Sequence, residues 1–239
     1  MKAMIFAAGL GTRLKPLTDR IPKALVPLAG KPLLQWQVEK LRDAGITDIV
    51  VNVHHFPDQI IEAIRTNDGW GCNIAISDER EALLETGGGL RKAKALLANT
   101  PILACNVDIL STIDLRALVA AHDPQTMGTL VVSKRETQRY LLFDQTNTLH
   151  GWTNIKTGEI KGFGNTKLAF SGMQILSPCI FDKMDKVVDE KGDKFSLIDL
   201  YLNLCTTEIF KAYVPINYRM MDVGKIDQIA EAEHFAQQL

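Results

Sequence analysis

The 239-residue sequence predicts an α/β fold in three layers, built on one mixed sheet that is mostly parallel. Two observations support this prediction. Over residues 1–125, short apolar runs alternate with segments of helical spacing, the pattern of parallel strands joined by helices. Over residues 126–239, strand-like runs follow one another with turn residues between them, which indicates an antiparallel insertion. Because the chain contains no internal repeat or linker, we expect a single domain over residues 1–239.

The first half of the chain supplies the parallel strands. Its apolar runs predict strands at 3–7, 48–53, 73–77 and 102–105. Apolar residues at helical spacing predict helices between and after these strands, around 34–41, 57–64, 90–97 and 115–119. Strands and helices in this order form a Rossmann-like layer, with helices on both faces of the sheet.

The second half departs from that alternation. Strand-like runs lie at 127–133, 140–143, 148–152 and 168–176, and turn residues such as Asp144-Gln145-Thr146-Asn147 separate them. Short helices are predicted over 178–184 and 197–205. The chain closes with a helix marked by Ile226, Ile229 and Ala230. These elements are expected to extend the sheet with antiparallel strands.

Composition excludes several classes of protein. Lys and Arg number 27 against 28 Asp and Glu, so the formal net charge is -1, without the positive excess of a nucleic-acid-binding protein. No apolar run approaches the roughly 18 residues of a membrane helix, and the first residues do not form a signal peptide. The four cysteines are scattered, without metal-binding spacing. We therefore expect a cytoplasmic protein with no nucleic-acid or membrane partner.

A glycine turn after the first strand is the most informative segment. Gly9-Leu10-Gly11 lets backbone N–H groups approach an anion without interference from a Cβ atom. Leu14 stands where a dinucleotide-binding fingerprint has its third glycine, and the Walker pattern is absent. Arg13 and Lys23 instead add fixed positive charges, which suit a triphosphate. The loop therefore favours a nucleoside triphosphate over a dinucleotide.

One dense motif extends from this loop: Gly9-x-Gly11-Thr12-Arg13-Leu14-x-Pro16-Leu17-Thr18-x-x-x-Pro22-Lys23, continued by Pro27-Leu28-x-Gly30-Lys31-Pro32-Leu33. It resembles the signature of sugar-1-phosphate nucleotidyltransferases, also called nucleotide-sugar pyrophosphorylases. The resemblance implies the nucleotide-diphospho-sugar transferase type of the Rossmann-like fold. It also implies a loop that wraps the triphosphate, an arginine that holds the leaving phosphates and a lysine near the reacting phosphate. These roles fall to Ala8, Gly9, Gly11, Thr12, Arg13 and Lys23.

A second motif, Leu84-Glu85-Thr86-Gly87-Gly88-Gly89, is similar to the segment with which the family recognises base and ribose. Its residue pattern most resembles that of the branch containing mannose-1-phosphate guanylyltransferases and N-acetylmuramate-1-phosphate uridylyltransferases. The resemblance assigns nucleotide binding to Glu85, Thr86 and Gly87. Three glycines are costly inside a helix, so packing alone explains them poorly, although a flexible helix start is an alternative. On this basis 1–125 is the nucleotide-binding half and 126–239 the sugar-phosphate-binding half.

Two carboxylates are candidates for a metal site. Asp108 follows the strand at 102–105, and Asp222 follows a second strand-like run, so both lie at the carboxyl ends of strands. Mg²⁺ takes one or two carboxylates together with phosphate oxygens, and both residues align with the metal-binding aspartates of the family. The sequence departs from the family pattern at Val107, where glycine is common, and at Met220, where tryptophan is common. Neither change removes a ligand atom.

The sugar side of the site is predicted from the resemblance alone. Gly151, Glu159 and Lys161 occupy the positions of sugar-contacting glycine, glutamate and lysine, and Ser171-Gly172 is similar to the strand that lines the same pocket. For Glu159 and Lys161, the alternative is an exposed hairpin edge, since the two residues alternate along one short run.

The parts together predict a magnesium-dependent enzyme. A sugar-1-phosphate oxygen attacks the α-phosphorus of a nucleoside triphosphate, giving a nucleotide-sugar and pyrophosphate. Arg13, Lys23 and Asp108 are the predicted catalytic residues, and Asp108 and Asp222 are the predicted metal ligands. Two alternatives remain open: transfer to a non-sugar phosphate such as phosphocholine, and a non-catalytic regulatory subunit that binds nucleotide. Because few residues follow Asp222, we expect no further C-terminal domain of the kind that some members carry.

Overall fold

The computed structural model describes the backbone of residues 1–239 and their side chains apart from that of Lys186. The strands are β1 Lys2–Phe6, β2 Pro27–Leu28, β3 Lys31–Pro32, β4 Asp48–Val53, β5 Asn73–Asp78, β6 Ile102–Asn106, β7 Ile109–Ser111, β8 Gly128–Ser133, β9 Arg139–Phe143, β10 Leu149–Asn154, β11 Glu159–Gly162, β12 Thr166–Leu176, β13 Phe210–Tyr213 and β14 Met220–Asp222. The α-helices are α1 Leu33–Asp43, α2 Pro57–Thr66, α3 Glu85–Lys92, α4 Lys94–Leu97, α5 Leu115–Ala121, α6 Asp185–Lys191, α7 Leu197–Leu204 and α8 Ile229–Ala236.

Ten strands of the described chain form one mixed sheet. Its main path runs β11-β10-β9-β12-β6-β1-β4-β5, and β8 and β13 extend from β12. β1 pairs in parallel with β4 and β6, and β4 pairs in parallel with β5. β12 is antiparallel to β6, which joins the inserted strands to the parallel layer. The carboxyl ends of β1, β4 and β6 therefore meet at one edge, where α/β proteins bind ligands.

Helices cover the sheet on both faces. Alternate residues of a strand point to opposite faces, so Ala3 and Ile5 of β1 enter one core cluster while Met4 and Phe6 enter the other. The first cluster packs α1, α2, α5 and α8, and the second packs α3, α4, α6 and α7. These contacts make the three layers that the alternating pattern predicts. In the described part of the chain, no helix is both long and apolar enough to cross a membrane.

The predicted fold class is confirmed, and several short elements are additions to it. The structure places β1, β4, β5, β6, β8, β9, β10 and β12 where apolar runs predict strands. The sequence analysis missed β2, β3, β7, β13 and α6. It expected β14 only as a strand-like run before Asp222, and β11 only as the alternative interpretation of Glu159 and Lys161. β7 and β14 have three residues each and pair only with each other, Met220 opposite Ser111 and Asp222 opposite Ile109. Runs this short carry no periodicity, and their pairing joins segments that are distant in sequence.

Candidate active site

The glycine loop leaves the carboxyl end of β1 and needs its two glycines for different reasons. A Cβ atom added at Gly9 would have no heavy atom within 4 Å, so this position faces open space. Gly11 has a φ of +64°, and a Cβ atom there would come within 2.7 Å of Thr18 Cγ2. The Thr18 hydroxyl also donates to the Gly11 carbonyl at 2.8 Å. Gly9 therefore leaves room for a ligand, whereas Gly11 forms the turn.

Lys23 and Asp108 form an ion pair between two largely buried side chains, only 10% and 18% exposed. Lys23 sits in a 3-10 turn that follows Pro22, and Asp108 lies between β6 and β7. The attraction between the two opposite charges offsets part of the cost of burying them. The pair places one fixed positive charge beside the first predicted metal ligand.

The second carboxylate is held next to the first by backbone pairing. Asp222 ends β14 opposite Ile109, and the Val223 N–H donates to the Asp108 carbonyl at 2.8 Å. Partial burial raises the pKa of the Asp222 carboxyl, and the charge of Asp108 raises it further. Two carboxylates that repel each other in this way have the arrangement expected of cation ligands.

Arg13 lies on the solvent side of this cluster. Its guanidinium lies 4.0 Å from the Asp222 carboxylate. The Arg13 side chain is more than half exposed, and the Asp222 side chain is half exposed. Gly224 allows this approach, since a Cβ atom there would lie 2.8 Å from Arg13 Nη2. The guanidinium remains accessible to a phosphate ligand, as the predicted role requires.

A cavity of about 340 Å³ opens between the glycine loop and the start of α3. Most of its lining was predicted from the sequence, namely Ala8, Gly9, Lys23, Glu85, Thr86 and Asp108. The remaining lining residues were missed, namely Phe6, Asn52, Leu83, Asn106 and Val107. The structure thus brings together the glycine loop, the start of the second motif and one predicted metal ligand around a single cavity.

The three glycines of α3 are packed rather than open. Gly87, Gly88 and Gly89 are buried, and a Cβ atom at Gly88 would lie 2.1 Å from the Asp193 carbonyl oxygen. The N–H groups of Gly87 and Gly88 both donate to the Phe195 carbonyl, at 2.9 and 3.1 Å. The expectation that packing explains these glycines poorly is therefore wrong. Close approach of the 193–195 segment requires Gly87 and Gly88, whereas a Cβ atom at Gly89 would lie 2.6 Å from Glu79 Oε1. Nucleotide binding by Gly87 stays a prediction.

Asn52 and Glu79 form a buried network behind the cavity that the sequence analysis missed. Asn52 Oδ1 accepts from the Ala7 N–H at 2.7 Å, and Asn52 Nδ2 donates to Glu79 Oε1 at 2.7 Å. The other Glu79 oxygen accepts from the Leu84 N–H at 3.3 Å, and burial raises the pKa of this carboxyl. An available signal was the asparagine inside the apolar run Ile49-Val50-Val51-Asn52-Val53, since a buried polar residue needs a partner.

The predicted sugar contacts lie elsewhere. Glu159 and Lys161 belong to β11, the outermost strand of the inserted part, and their carboxylate and ammonium groups pair with each other at 3.3 Å. Gly151 lies on β10 opposite Gly162. Two strands separate β11 from β12, which at the usual spacing puts β11 about 14 Å from β12. The structure does not bring these three residues to the cavity, and their sugar-binding role stays a prediction.

The two departures from the family pattern are accommodated. Val107 is buried in the core cluster that packs α1, and its N–H donates to the Phe6 carbonyl at 3.2 Å. Its φ is not among the positive values of the described chain. Met220 is partly buried and pairs with Ser111. Asp108 and Asp222 thus keep their places beside a valine and near a methionine.

The fold and the charge cluster at its carboxyl edge define an α/β protein of the nucleotide-handling class. The sequence matches the nucleotidyl transferase family over residues 2–238, so the chain belongs to that family. This confirms the family predicted from the glycine-loop motif.

Relatives of known name agree with the predicted branch. The chain is 36% identical over 214 residues to the N-acetylmuramate alpha-1-phosphate uridylyltransferase of Caulobacter vibrioides, covering 84% of this chain and 83% of that protein. It is 41% identical over 142 residues to the mannose-1-phosphate guanyltransferase of Schizosaccharomyces pombe, covering 57% of this chain and 38% of that protein. The second alignment thus spans well under half of that relative.

Solved structures share the fold at low sequence identity. A UDP-glucose pyrophosphorylase complexed with UDP-glucose superposes with a TM-score of 0.80 at 19% identity, covering 100% of this chain and 99% of that one. HddC from Yersinia pseudotuberculosis complexed with GMP-PN gives a TM-score of 0.75 at 24% identity, covering 98% and 99%. These likenesses confirm the fold class.

Proposed function

We propose that the protein transfers a nucleoside monophosphate from a nucleoside triphosphate to a sugar-1-phosphate, releasing pyrophosphate. One observation carries the proposal. Arg13 and Lys23 of the glycine-loop motif meet Asp108 and Asp222, from two distant parts of the chain, at the carboxyl edge of the sheet. Such a cluster suits two phosphate groups that must be brought together against their mutual repulsion.

The chemistry asks little of the protein beyond positioning and charge. The acceptor phosphate is already an anion, so no general base is needed to activate it. The N–H groups around Gly9 and the guanidinium of Arg13 hold the phosphates that leave as pyrophosphate. The ammonium of Lys23 neutralises charge that develops at the α-phosphate.

Asp108 and Asp222 are proposed to hold Mg²⁺. Their fit rests on two adjacent carboxylates and on the raised pKa of Asp222, which Asp108 helps to cause. A bound Mg²⁺ supplies positive charge to the reacting phosphate oxygens. Lys23 pairs with Asp108 from one side, so its ammonium group would orient this carboxylate for the ion.

For the particular substrates, we propose a uridine donor and N-acetylmuramate α-1-phosphate as acceptor. The support is the Caulobacter vibrioides relative, whose similarity extends over 84% of this chain and most of its own length. The similarity to guanylyl-transferring relatives covers a smaller part of each chain.

A matrix of substrates tests the proposal. The full chain is incubated with each of four nucleoside triphosphates and with N-acetylmuramate, N-acetylglucosamine, glucose and mannose 1-phosphates, or with phosphocholine. Pyrophosphate release is followed with Mg²⁺ and after chelation. We expect release to be fastest with UTP and N-acetylmuramate α-1-phosphate, and to stop when the cation is removed.

Each other outcome has a definite meaning. Preference for another sugar-1-phosphate keeps the reaction and overturns the assigned substrates. Release with phosphocholine alone assigns a non-sugar acceptor. Nucleotide binding without release from any pair contradicts catalysis and supports a regulatory subunit. Release that survives chelation overturns the metal assignment.

A further inference from the structure

β11 is the free edge of the ten-stranded sheet. The strand pairs only with β10, and in the part of the chain that the structure describes no strand lies on its outer side. All of its residues, from Glu159 to Gly162, are exposed. An edge of this kind presents unpaired backbone groups that can accept another strand.

The direction of those backbone groups follows from the hairpin. The Phe163 N–H donates to the His150 carbonyl at 3.3 Å, so His150 and Phe163 form a hydrogen-bonded pair. Such pairs alternate along an antiparallel ladder, and the register places Trp152 opposite Lys161 and Thr153 opposite Ile160. Lys161 therefore bonds inward to β10, and the N–H and C=O of Ile160 point away from the sheet.

The side chains at this edge do not protect it. Ile160 is 66% exposed, and the hairpin adds exposed Ile155 and Phe163. Natural edges are commonly blocked by proline, by a bulge or by a row of like charges. Here the central residue is apolar, and the charges on either side of it, Glu159 and Lys161, have opposite sign.

We propose that two copies of this chain associate by pairing β11 with β11, antiparallel about a two-fold axis at Ile160. The two Ile160 residues then exchange both backbone hydrogen bonds. Glu159 of each copy lies opposite Lys161 of the second copy, in the closely spaced, non-hydrogen-bonded pairs of the ladder. Two antiparallel copies of β11 therefore place opposite charges against each other, as the self-complementary surface of an isologous contact requires.

Charge selects this register over its neighbours. A two-fold axis perpendicular to the sheet keeps each side chain on its face, so the alternative registers differ by two residues. One alternative places Glu159 opposite Glu159, and the other places Lys161 opposite Lys161. Like charges directly opposite each other are destabilising. The register centred on Ile160 is the one that pairs every charge with its opposite.

The Glu159–Lys161 ion pair within one chain competes only weakly with the proposed ion pairs between two chains. Glu159 and Lys161 are each about half exposed and 3.3 Å apart, and exposed pairs contribute little. The extended segment is short, because Gly158 and Gly162 have positive φ values of 74° and 73°. An interface built on Glu159–Gly162 and the neighbouring apolar side chains is small, so we expect a weak dimer that forms at micromolar concentrations and above.

Sedimentation equilibrium of the full chain measures the association. Over a range from about 1 μM to 1 mM, the wild-type mass is expected to rise from 26.5 kDa toward twice that value. Glu159→Lys or Lys161→Glu each places like charges opposite each other and is expected to weaken association about tenfold or more. The double variant Glu159→Lys/Lys161→Glu exchanges the two charges and is expected to restore association to within about threefold of wild type.

A second pair of variants separates the edge from general surface effects. Ile160→Lys is expected to abolish the dimer, because two ammonium groups meet at the axis. Ile216→Lys makes the same change at a 91% exposed isoleucine outside the hairpin and is expected to leave the dimer intact. Circular dichroism of each variant shows whether it is folded. A wild type that stays monomeric throughout, or a dimer that Ile160→Lys and both charge reversals leave unchanged in folded protein, overturns the proposal.

Discussion

At the residue scale, the candidate site consists of four charged side chains whose formal charges cancel, namely Arg13, Lys23, Asp108 and Asp222. Lys23 is paired with Asp108 and Arg13 approaches Asp222, so each carboxylate has its own cation. The balanced composition of the whole chain conceals this arrangement, since a net charge of -1 is compatible with any local placement. The proposed handling of small polyphosphates therefore rests on where these charges are placed, not on the total charge of the chain.

The two glycines of the phosphate loop are expected to respond differently to alanine. Gly9→Ala keeps the fold, because its Cβ meets no atom, but it projects into the cavity and weakens nucleotide binding. Gly11→Ala forces a left-handed backbone and a contact with Thr18, and it lowers the free energy of unfolding by about 1–2 kcal/mol or more. Urea unfolding and nucleotide titration of both variants measure the contrast. Equal loss of stability in both would contradict the separate roles.

Removing one charge from the site is expected to stop turnover without unfolding the protein. Asp108→Asn keeps the shape of the side chain but not its charge, and Arg13→Ala removes the exposed guanidinium. Each is expected to lower kcat about 10²-fold or more, as loss of a preorganised charge does. Pyrophosphate release measures the effect, with Arg20→Ala, an exposed arginine of the same loop region, as control. Wild-type turnover by either site variant would sink the assignment.

At the element scale, α3 owes its position to its glycines. Gly87 and Gly88 let the segment from Asp193 to Phe195 lie directly against the helix, and that segment leads into α7. α7 begins at a capping box between Ser196 and Asp199, and the Leu197 N–H donates to the Thr86 hydroxyl at 3.0 Å. The start of the motif predicted to recognise the base is thereby tied to a helix of the second half of the chain.

Gly88→Ala tests this packing. Its Cβ would lie 2.1 Å from a backbone oxygen of Asp193, so the segment must move, and we expect a loss of about 1–3 kcal/mol in stability. Lys92→Ala changes an exposed residue of the same helix and is expected to stay within about 0.5 kcal/mol of wild type. Chemical denaturation of both variants decides the question. A Gly88→Ala variant as stable as wild type would show that the glycines serve another purpose.

At the scale of the whole molecule, the sheet divides the core into two clusters. It also carries two buried side-chain amides, one with hydrogen-bond partners and one without. Asn52 satisfies its side chain at the active-site edge through Ala7 and Glu79. Gln174, near the C-terminal end of β12, is 1% exposed, and neither of its side-chain polar atoms has a hydrogen-bond partner in the described residues. Burial without a partner costs stability, whereas burial with partners does not.

The two amides are therefore expected to respond in opposite directions. Gln174→Met replaces an unpaired amide by an apolar side chain of similar length and is expected to raise the free energy of unfolding by about 1 kcal/mol. Asn52→Leu leaves the Ala7 N–H and the Glu79 carboxylate without the hydrogen bonds that Asn52 makes to them. It is expected to lower the free energy of unfolding by about 2–3 kcal/mol. Thermal and urea unfolding measure both. Destabilisation by Gln174→Met would indicate a buried partner, such as a water molecule, for that amide.

Long strands and helices were predictable because their apolar periodicity is local. The glycine loop was predictable for the same reason, since Gly9 through Lys23 form one continuous motif. The pairing of β7 with β14 was not, because two three-residue runs carry no signal and meet only after the sheet has formed. Nor was the Asn52–Glu79 network, whose hydrogen bonds join the ends of different strands.

The sequence by itself determined the family, the layer architecture and the identity of the charged residues that form the candidate site. The tertiary structure alone decided that Lys23 pairs with Asp108, that Gly87 and Gly88 are packed against the 193–195 segment, and that Glu159 and Lys161 lie on a free sheet edge. The physical reason is the separation along the chain between the residues that interact. Periodicity and turn chemistry act between neighbouring residues, whereas ion pairing, close packing and edge exposure depend on which distant segments the folded sheet brings together.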